Sequence, residues 1–320
     1  MDFIKSRGVA YGLSLALTVV GAAALVLLPK NLGIDMTGGV MVEVKASSGT
    51  VDRAVADKVV AAAKDISYSG SKAVTEASAY PVVGTDLTRV EAGFKSDLPV
   101  EALAAAKAAF RAKVPELFLA SGITVSESRY SDIGQSFGDY VKKTAYLTLV
   151  LAIIAIAAYI GWAFRRSVQG ISSMSLGFVT IITLIYDVVA TAGIYVIIGL
   201  FFPQFKFDTF LITALLTILG YCINDTIVIL DRIRATVRDR KVGNMTLDRL
   251  VDTSVHAVLM RSIYTHLTLF LVLLSLFFFG PETLQGFMLA LLVGTTVGTY
   301  SSIWVAAPLV YDLNKSGYRK

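Results

Sequence analysis

Two aspartates lie inside long apolar stretches of the chain. Asp187 stands between Tyr186 and Val188 in one stretch, and Asp225 follows Asn224 in another. An ionised side chain at the centre of a membrane helix costs about 2.5 to 3.5 kcal/mol on insertion scales. Burial and a nearby cation shift the pKa of a carboxyl group in opposite directions, so an Asp subject to both can change protonation when its surroundings change. Both carboxyl groups are therefore candidates for a proton or ion relay.

Arg261 is a candidate cation for this relay. If one helix starts near Thr209, Asp225 lies about 24 Å along it at ~1.5 Å per residue. Arg261 lies about one helical turn, ~3.6 residues, past Ala257, where the next apolar stretch begins. The two depths match if the helices run in opposite directions, which permits an Asp225–Arg261 ion pair. The alternatives are a static buried salt bridge and an arginine that only reaches to the membrane surface.

Other polar residues surround this motif. Asn224 and Thr226 offer oxygen atoms that, together with Asp225, suit a hard cation, so sodium is an alternative coupling ion to the proton. Asp231 and Arg232 open a mixed-charge segment at residues 231–241. We interpret that segment as a topological anchor, with docking of a partner as the alternative.

The residues of common catalytic centres are absent from the sequence. There is no P-loop, no G-x-S-x-G turn and no HExxH motif. One cysteine, Cys222, excludes an intrachain disulfide, and two histidines, His256 and His266, give no zinc-ligand set. We therefore expect no metal, no cofactor and no enzyme activity.

The composition predicts a membrane protein. Of the 320 residues 55% are hydrophobic and 17% charged, against roughly 25% charged in soluble domains. A spanning helix needs about 20 apolar residues. Six stretches qualify: 8–28, 144–164, 172–199, 209–230, 257–280 and 284–309.

The positive charges predict the orientation of these spans. The net charge of +5 does not indicate nucleic-acid binding, because many basic residues flank apolar stretches on one side only. The short loops of the other side hold Lys206 alone, so the positive-inside rule places both termini in the cytoplasm. A cleaved signal peptide is the alternative for the first stretch. The basic residues of the cytoplasmic side are Lys5, Arg7, Arg165, Arg166, Arg232, Arg234, Arg238, Arg240, Lys241, Arg249, Lys315, Arg319 and Lys320.

The domain organisation follows from these spans. Residues 1–28 form the N-terminus and first span, 29–141 an exported domain, and 142–320 the remaining five spans. The pattern of the exported segment predicts strand 40–45, helix 51–63, strands 80–83 and 87–94, helix 100–114 and strand 123–129. This β-α-β-β-α-β order is typical of a ferredoxin-like α+β fold. The predicted fold class is thus a six-span helical membrane protein with one ferredoxin-like domain.

Four segments of the sequence, residues 33–39, 186–188, 220–234 and 286–302, resemble the SecF family of protein-export membrane subunits. Residues 33–39 read G-I-D-M-T-G-G, similar to the family signature G-[IL]-D-x-x-G-G that contains Gly33, Asp35, Gly38 and Gly39. Residues 220–234 read G-Y-C-I-N-D-T-I-V-I-L-D-R-I-R and begin at Gly220, similar to the family motif of the fourth span. Residues 186–188 and 286–302 resemble further segments, so the resemblance covers nearly the whole chain.

The resemblance implies a role in protein export. SecF proteins belong to the resistance-nodulation-division superfamily and act with SecD beside the SecYEG channel and a YajC-type accessory subunit. The implied function is to use the proton gradient to help a translocating preprotein cross the bacterial cytoplasmic (inner) membrane. The implied proton-responsive residues are Asp225 and Arg261. The other implied contacts are with membrane lipid, and none is with nucleic acid.

The chain departs from the family pattern at three positions. Cys222 replaces the usual serine, and Tyr186 and Met260 replace histidines, which argues against a proton path through a histidine at 186 or 260. Other functions are alternatives to a role in protein export. One alternative is a standalone proton-driven exporter of small molecules or lipids. Another is a purely structural stabiliser of the channel complex. An intramembrane aspartyl protease is disfavoured because G-x-G-D does not surround Asp225.

Overall fold

The computed structural model describes residues 2–29, 31–48, 51–68, 71–82, 85–95, 98–165, 171–239 and 245–318. The chain divides into two compact units, a helical unit and a sheet unit. The helical unit comprises Met1–Pro29, Leu147–Ile198 and Phe210–Lys320. The sheet unit comprises Lys30–Tyr146 and Gly199–Thr209, so it includes the loop that joins two of the long helices.

Six helical segments are long and apolar enough to cross a membrane, as the sequence predicted. They are α1 (Arg7–Leu27), α5 (Gln135–Ala163), α6 (Ser173–Phe201), α7 (Thr209–Arg238), α8 (Leu247–Phe279) and the segment formed by α9 (Gln285–Ser301) and α10 (Ala307–Asn314). The apolar parts of α6, α7 and the last segment are mostly buried within the chain. Those of α1, α5 and α8 are mostly exposed, as expected of helices that face lipid or another subunit.

Several helices extend beyond their apolar stretches. Helix α5 begins at Gln135, so its first polar turns lie within the range 29–141. Helix α7 continues to Arg238 and α8 begins at Leu247, whereas the apolar stretches had suggested 230 and 257. Hydropathy detects only the part of a helix that suits hydrocarbon, and polar turns outside the membrane carry no such signal.

The last span is interrupted near its end. A π-helical turn at Ser302–Ala306 separates α9 from α10. Pro308 lies in the first turn of α10 and has no backbone N–H to donate to the preceding turn. The π turn accommodates this missing hydrogen bond, which is a common cause of such bulges.

Glycines let two pairs of central helices approach closely. A Cβ at Gly294 would overlap the side chain of Ile218, and one at Gly298 would overlap the Cys222 sulfur. Gly294 and Gly298, which are four residues apart, therefore allow α9 to pack closely against α7. A Cβ at Gly193 of α6 would likewise overlap the backbone of Gly21 in α1. Small residues drive close helix packing in membranes, where apolar side chains gain little from leaving lipid.

The sheet unit has the predicted ferredoxin-like order. Its elements are α2 (Ile34–Thr37), β1 (Gly39–Ser48), α3 (Arg53–Lys64), β2 (Ser67–Tyr68), β3 (Ser71–Lys72), β4 (Val74–Pro81), β5 (Leu87–Phe94), α4 (Val100–Leu119) and β6 (Thr124–Ile133). The antiparallel sheet has the order β4-β5-β1-β6. The small β2–β3 hairpin had not been predicted, because two-residue strands are too short to show a period.

The two faces of this sheet differ in character. One face presents Val40, Val42 and Val44 of β1 to apolar side chains of α3 and α4, such as Phe110. The residues between them point to the opposite face, and there Glu43 forms an ion pair with Arg89 at 2.6 Å. Alternation along the strands thus creates an apolar core beneath the helices and a polar face on the other side.

Some predicted features fall outside the described residues. They are the end of the predicted strand at Val83 and the basic residues Arg166, Arg240, Lys241, Arg319 and Lys320.

Substitution of Gly298 tests the contact between α7 and α9. Gly298→Ala should lower the free energy of unfolding by about 1 to 3 kcal/mol, because the new methyl group overlaps Cys222. The measurement is thermal unfolding in detergent, with Gly12→Ala as a control because open space surrounds Gly12. The double variant with Cys222→Ala should recover most of the loss. Equal losses in Gly298→Ala and Gly12→Ala would contradict this packing.

Candidate functional site: carboxyl groups in the helical unit

The carboxyl group of Asp187 is buried at the centre of the helical unit. Its side chain is 1% exposed, and neither carboxylate oxygen has a hydrogen-bond partner among the residues that the structure describes. Ser301 and Cys222 face it, but the Ser301 hydroxyl donates to the Gly298 carbonyl at 3.0 Å and the Cys222 thiol to the Gly294 carbonyl at 3.9 Å. An unpartnered buried carboxylate is costly. The protonation of Asp187 therefore depends on whether water, an ion or another polar group reaches it.

Asp225 lies on the buried side of α7, 4% exposed, and its Oδ2 atom has no hydrogen-bond partner. Arg261 on α8 is exposed and interacts electrostatically with this carboxylate. The two side chains form no ion pair within the described part of the chain. Asp225 and Arg261 thus lie within electrostatic range of each other, in line with the matched depths inferred from the sequence, but they make no direct contact.

Cys222 lies near both carboxyl groups. Its buried thiol interacts electrostatically with both Asp187 and Asp225, because it lies one turn before Asp225 on the same face of α7. Two further polar groups of this region, the hydroxyls of Tyr186 and Tyr221, are buried without a hydrogen-bond partner. The centre of the helical unit therefore holds several polar groups whose hydrogen bonds are incomplete. Such groups can exchange protons or hold an ion when the helices shift.

The supporting residues predicted around Asp225 divide between two faces. Thr226 is buried beside Asp225, whereas Asn224 is exposed. Asp231 and Arg232 are exposed two turns further on. The structure therefore does not bring Asn224, Asp231 or Arg232 into contact with the buried carboxylate.

Asn224 belongs to an exposed stripe of small and polar residues on α7. The stripe consists of Thr213, Thr217, Gly220 and Asn224, spaced four, three and four residues apart along one helical face. A Cβ at Gly220 would meet no atom of the chain within 4 Å. Polar side chains are costly in lipid, and small residues are typical of helix–helix contacts in membranes. This stripe has the character of a surface that another helix covers.

The motif at residues 33–39 contacts the first residue of α7 and the first residue of α5. The Asp35 carboxylate accepts hydrogen bonds from the backbone N–H of Thr209, at 2.7 Å, and from the Thr209 hydroxyl. Because Thr209 is the first residue of α7, Asp35 accepts a hydrogen bond from a backbone N–H group at a helix N-terminus and complements the helix dipole. Gly38 has φ +74°, which favours glycine, and a Cβ there would lie 2.6 Å from Gln135 Cα at the start of α5.

The family match agrees with this geometry. Residues 115–316 match the family described as "Protein export membrane protein SecD/SecF, C-terminal". The chain belongs to the SecD/SecF family. SecF of Thermodesulfovibrio yellowstonii is 32% identical, with 100% of this chain and 97% of that protein aligned. SecF of Sebaldella termitidis is 34% identical over 98% of this chain and 92% of that protein.

Solved SecDF structures share the fold of this SecD/SecF family member. The crystal structure of SecDF from Thermus thermophilus, a translocon-associated membrane protein, matches with a TM-score of 0.75 and 28% identity. The match covers 98% of this chain and 38% of the SecDF chain. SecDF in a super-membrane-facing form matches with a TM-score of 0.65 and 26% identity, over 99% of this chain and 39% of that one. The chain thus spans about two fifths of the length of these SecDF chains.

Sequence reasoning missed several polar residues of the site. Cys222 had been noted only as a departure from the family pattern, although its thiol lies near both carboxyl groups. Ser301 faces Asp187, and Ser262 is buried beside Arg261 with an unpartnered hydroxyl. Serine and threonine are frequent in membrane helices, so a single sequence does not distinguish packing residues from site residues.

Replacement of Asp35 tests its role at the start of α7. Asp35→Ala should lower the free energy of unfolding by about 1 to 2 kcal/mol, because it leaves the first N–H of α7 without its acceptor. Thermal unfolding of the purified protein in detergent measures this loss. The control is Asp57→Ala, since Asp57 is an exposed carboxyl on α3. A stability equal to that of the control variant would contradict the capping role.

Proposed function

We propose that this chain is an accessory subunit of the Sec protein-export machinery that acts with SecD and uses the proton gradient to promote polypeptide translocation. Membership of the SecD/SecF family supports the role in export. The observation that supports ion coupling is the pair of buried carboxyl groups, Asp187 and Asp225, which have unpartnered oxygens at the centre of the helical unit.

In this proposal Asp225 is the titrating group. An Asp that is buried and within electrostatic range of Arg261 has two alternative ways to be stabilised. It can hold a proton, or it can ionise and approach the guanidinium group. Each change of protonation then favours a different distance between α7 and α8. Asp187 and the Cys222 thiol provide polar groups next to this site, through which a proton or a cation passes.

The membrane potential supplies enough free energy to shift the proposed equilibrium between helix arrangements. Moving one charge through a potential of 100 mV is worth about 2.3 kcal/mol. A two-state equilibrium shifts by as much as the states differ in their affinity for the proton. One proton per cycle can therefore move a substantial part of the population between two helix arrangements.

The exposed stripe on α7 supports the need for a partner subunit. An isolated Asn224 facing lipid would be unfavourable, and Gly220 allows a neighbouring helix to approach closely. We assign this surface to SecD. The SecYEG channel, a YajC-type subunit, membrane lipid and the translocating preprotein are further partners in the proposal.

The proposed location is the bacterial inner membrane, with both termini in the cytoplasm. Support comes from the basic residues that flank the spans, such as Lys5, Arg238 and Lys315. The predicted division into 1–28, 29–141 and 142–320 is part of this proposal, and the sheet unit then lies on the exported side. The proposal includes no enzyme activity and no nucleic-acid binding.

The decisive variant for export is Asp225→Asn, which keeps the shape of the side chain and removes its titration. We expect the complex to assemble and export of a secreted reporter to lose its increase with the proton gradient. The measurement uses vesicles that contain the complete machinery, with and without a gradient. Asp231→Asn is a matched control, because Asp231 is an exposed carboxyl on the same helix and should leave the gradient effect unchanged. Unchanged gradient dependence in Asp225→Asn would refute the relay at this residue.

The partner surface is tested by Gly220→Leu. The larger side chain should prevent close helix approach and reduce the amount of SecD that copurifies with the subunit. Gly161→Leu is the control, since Gly161 is an exposed glycine on α5 that also has open space around it. Equal recovery of SecD with both variants would show that the stripe on α7 is not the contact surface.

A further inference from the structure

A buried ion pair joins the α6–α7 loop to the polar face of the sheet. Lys206 lies in this loop, and its ammonium group pairs with the Glu91 carboxylate of β5, where the two side chains are 7% and 8% exposed. Ser78 of β4 accepts a hydrogen bond from Lys206 at 2.6 Å. Tyr80 of β4 donates one to Glu91 at 2.9 Å, and its ring centroid lies 5.3 Å from the Lys206 nitrogen. Four side chains thus form one polar cluster, and Arg89, which interacts with Tyr80, connects this cluster to Glu43.

The cluster is anchored in a rigid part of the sheet. Strand β5 is interior, because it pairs with β4 on one side and with β1 on the other. Burial raises the pKa of Tyr80 well above its usual value, so its hydroxyl keeps the proton that it donates to Glu91. The loop therefore contacts the interior strand β5 through Glu91 and the neighbouring strand β4 through Ser78.

Backbone contacts fix the same loop on both sides of Lys206. Phe207 donates to the Asn31 carbonyl at 2.7 Å and accepts from the Gly33 N–H at 3.0 Å. The Asn31 side chain donates to the Pro203 carbonyl at 2.8 Å. At the end of the loop, Asp35 holds Thr209, where α7 begins. The start of α7 is thus fastened to the sheet unit by charge, by hydrogen bonds and by a helix cap.

A buried ion pair is an expensive way to hold a loop. Desolvation of a lysine and a glutamate can offset their attraction, and apolar side chains often stabilise a fold equally well. What such a pair does provide is a defined geometry, since each charge accepts few alternative partners. A defined position matters here because α7 continues without a break from Thr209 to Arg238 and carries Asp225.

We infer that Lys206 and Glu91 are positioning residues that fasten the start of α7 to the sheet unit, so that a displacement of α7 driven at Asp225 moves the sheet unit. This inference rests on the proposed function. It assigns to the α6–α7 loop the mechanical connection between the titrating carboxyl group on α7 and the sheet unit. Neither residue takes part in ion transfer.

The test compares Lys206→Met and Glu91→Gln with Arg111→Met in the complete complex. Arg111 forms an ion pair with Glu127 in the same sheet unit, but both side chains are more exposed, so this variant controls for loss of a charge pair. We expect both variants at the buried pair to assemble and to lose the gradient-dependent increase in export. Arg111→Met should keep that increase. The exchanged pair Lys206→Glu with Glu91→Lys should recover part of it.

A second readout separates positioning from simple stabilisation. Spin labels attached through non-natural amino acids on α3 of the sheet unit and at position 238 of α7, with Cys222 retained, report a distance with and without the gradient. Wild type should show a gradient-dependent shift, and Lys206→Met should lose the shift while assembly is normal. If either single variant fails to assemble, Ser78→Ala and Tyr80→Phe replace it. Each of these removes one hydrogen bond of the cluster and should reduce the shift partly.

The outcomes distinguish this inference from the proposed function. If the wild-type complex shows no gradient response, both this inference and the proposed function are overturned. In a second outcome, the wild type responds normally and Asp225→Asn abolishes the response. If the variants at the buried pair then keep both the distance shift and the export increase, only this inference is overturned. An equal loss in Arg111→Met also overturns it, because it would trace the effect to general damage of the sheet.

Discussion

Burying a carboxyl group among apolar helices is costly, and the helical unit does so twice within one packed region. Asp187 and Asp225 are almost completely buried, and the described chain leaves three of their oxygen atoms without a hydrogen bond. A static protein would satisfy such groups or replace them, because each unpartnered polar atom reduces stability. In the proposed proton site this cost is used, because burial and a nearby cation favour different protonation states of the same carboxyl group.

The helix packing surrounds this site with close contacts. Gly294 and Gly298 seat α9 against the face of α7 that carries Cys222, next to both carboxyl groups. On the opposite face of α7, Gly220 and Asn224 are exposed and suit a neighbouring helix. One helix thus presents a buried ionisable face and a partner face, so a change at the carboxyl group can alter how α7 lies against both neighbours. The start of the same helix is fastened to the sheet unit through Asp35 and through the loop that holds Lys206.

Much of this organisation could be predicted from the sequence, for physical reasons. The membrane spans show as long apolar stretches, and the ferredoxin-like order shows as alternating periods of two and 3.6 residues. Intramembrane aspartates stand out because they are costly. Three-dimensional contacts between distant residues leave no such local signal. Lys206 had been noticed only as the lone cation of its side, and its pairing with Glu91, more than a hundred residues earlier, follows from the fold alone. The incomplete contact between Asp225 and Arg261 likewise depends on helix positions that hydropathy does not define.

The protonation state of Asp225 can be measured in the assembled complex. Infrared difference spectra of the reconstituted complex, recorded between two pH values on either side of the titration, resolve the carbonyl band of a protonated carboxyl group. The account predicts one band in wild type that is missing in Asp225→Asn and that changes when Arg261 is replaced by glutamine. Identical difference spectra for wild type and Asp225→Asn would contradict it, because Asp225 would then keep one protonation state throughout.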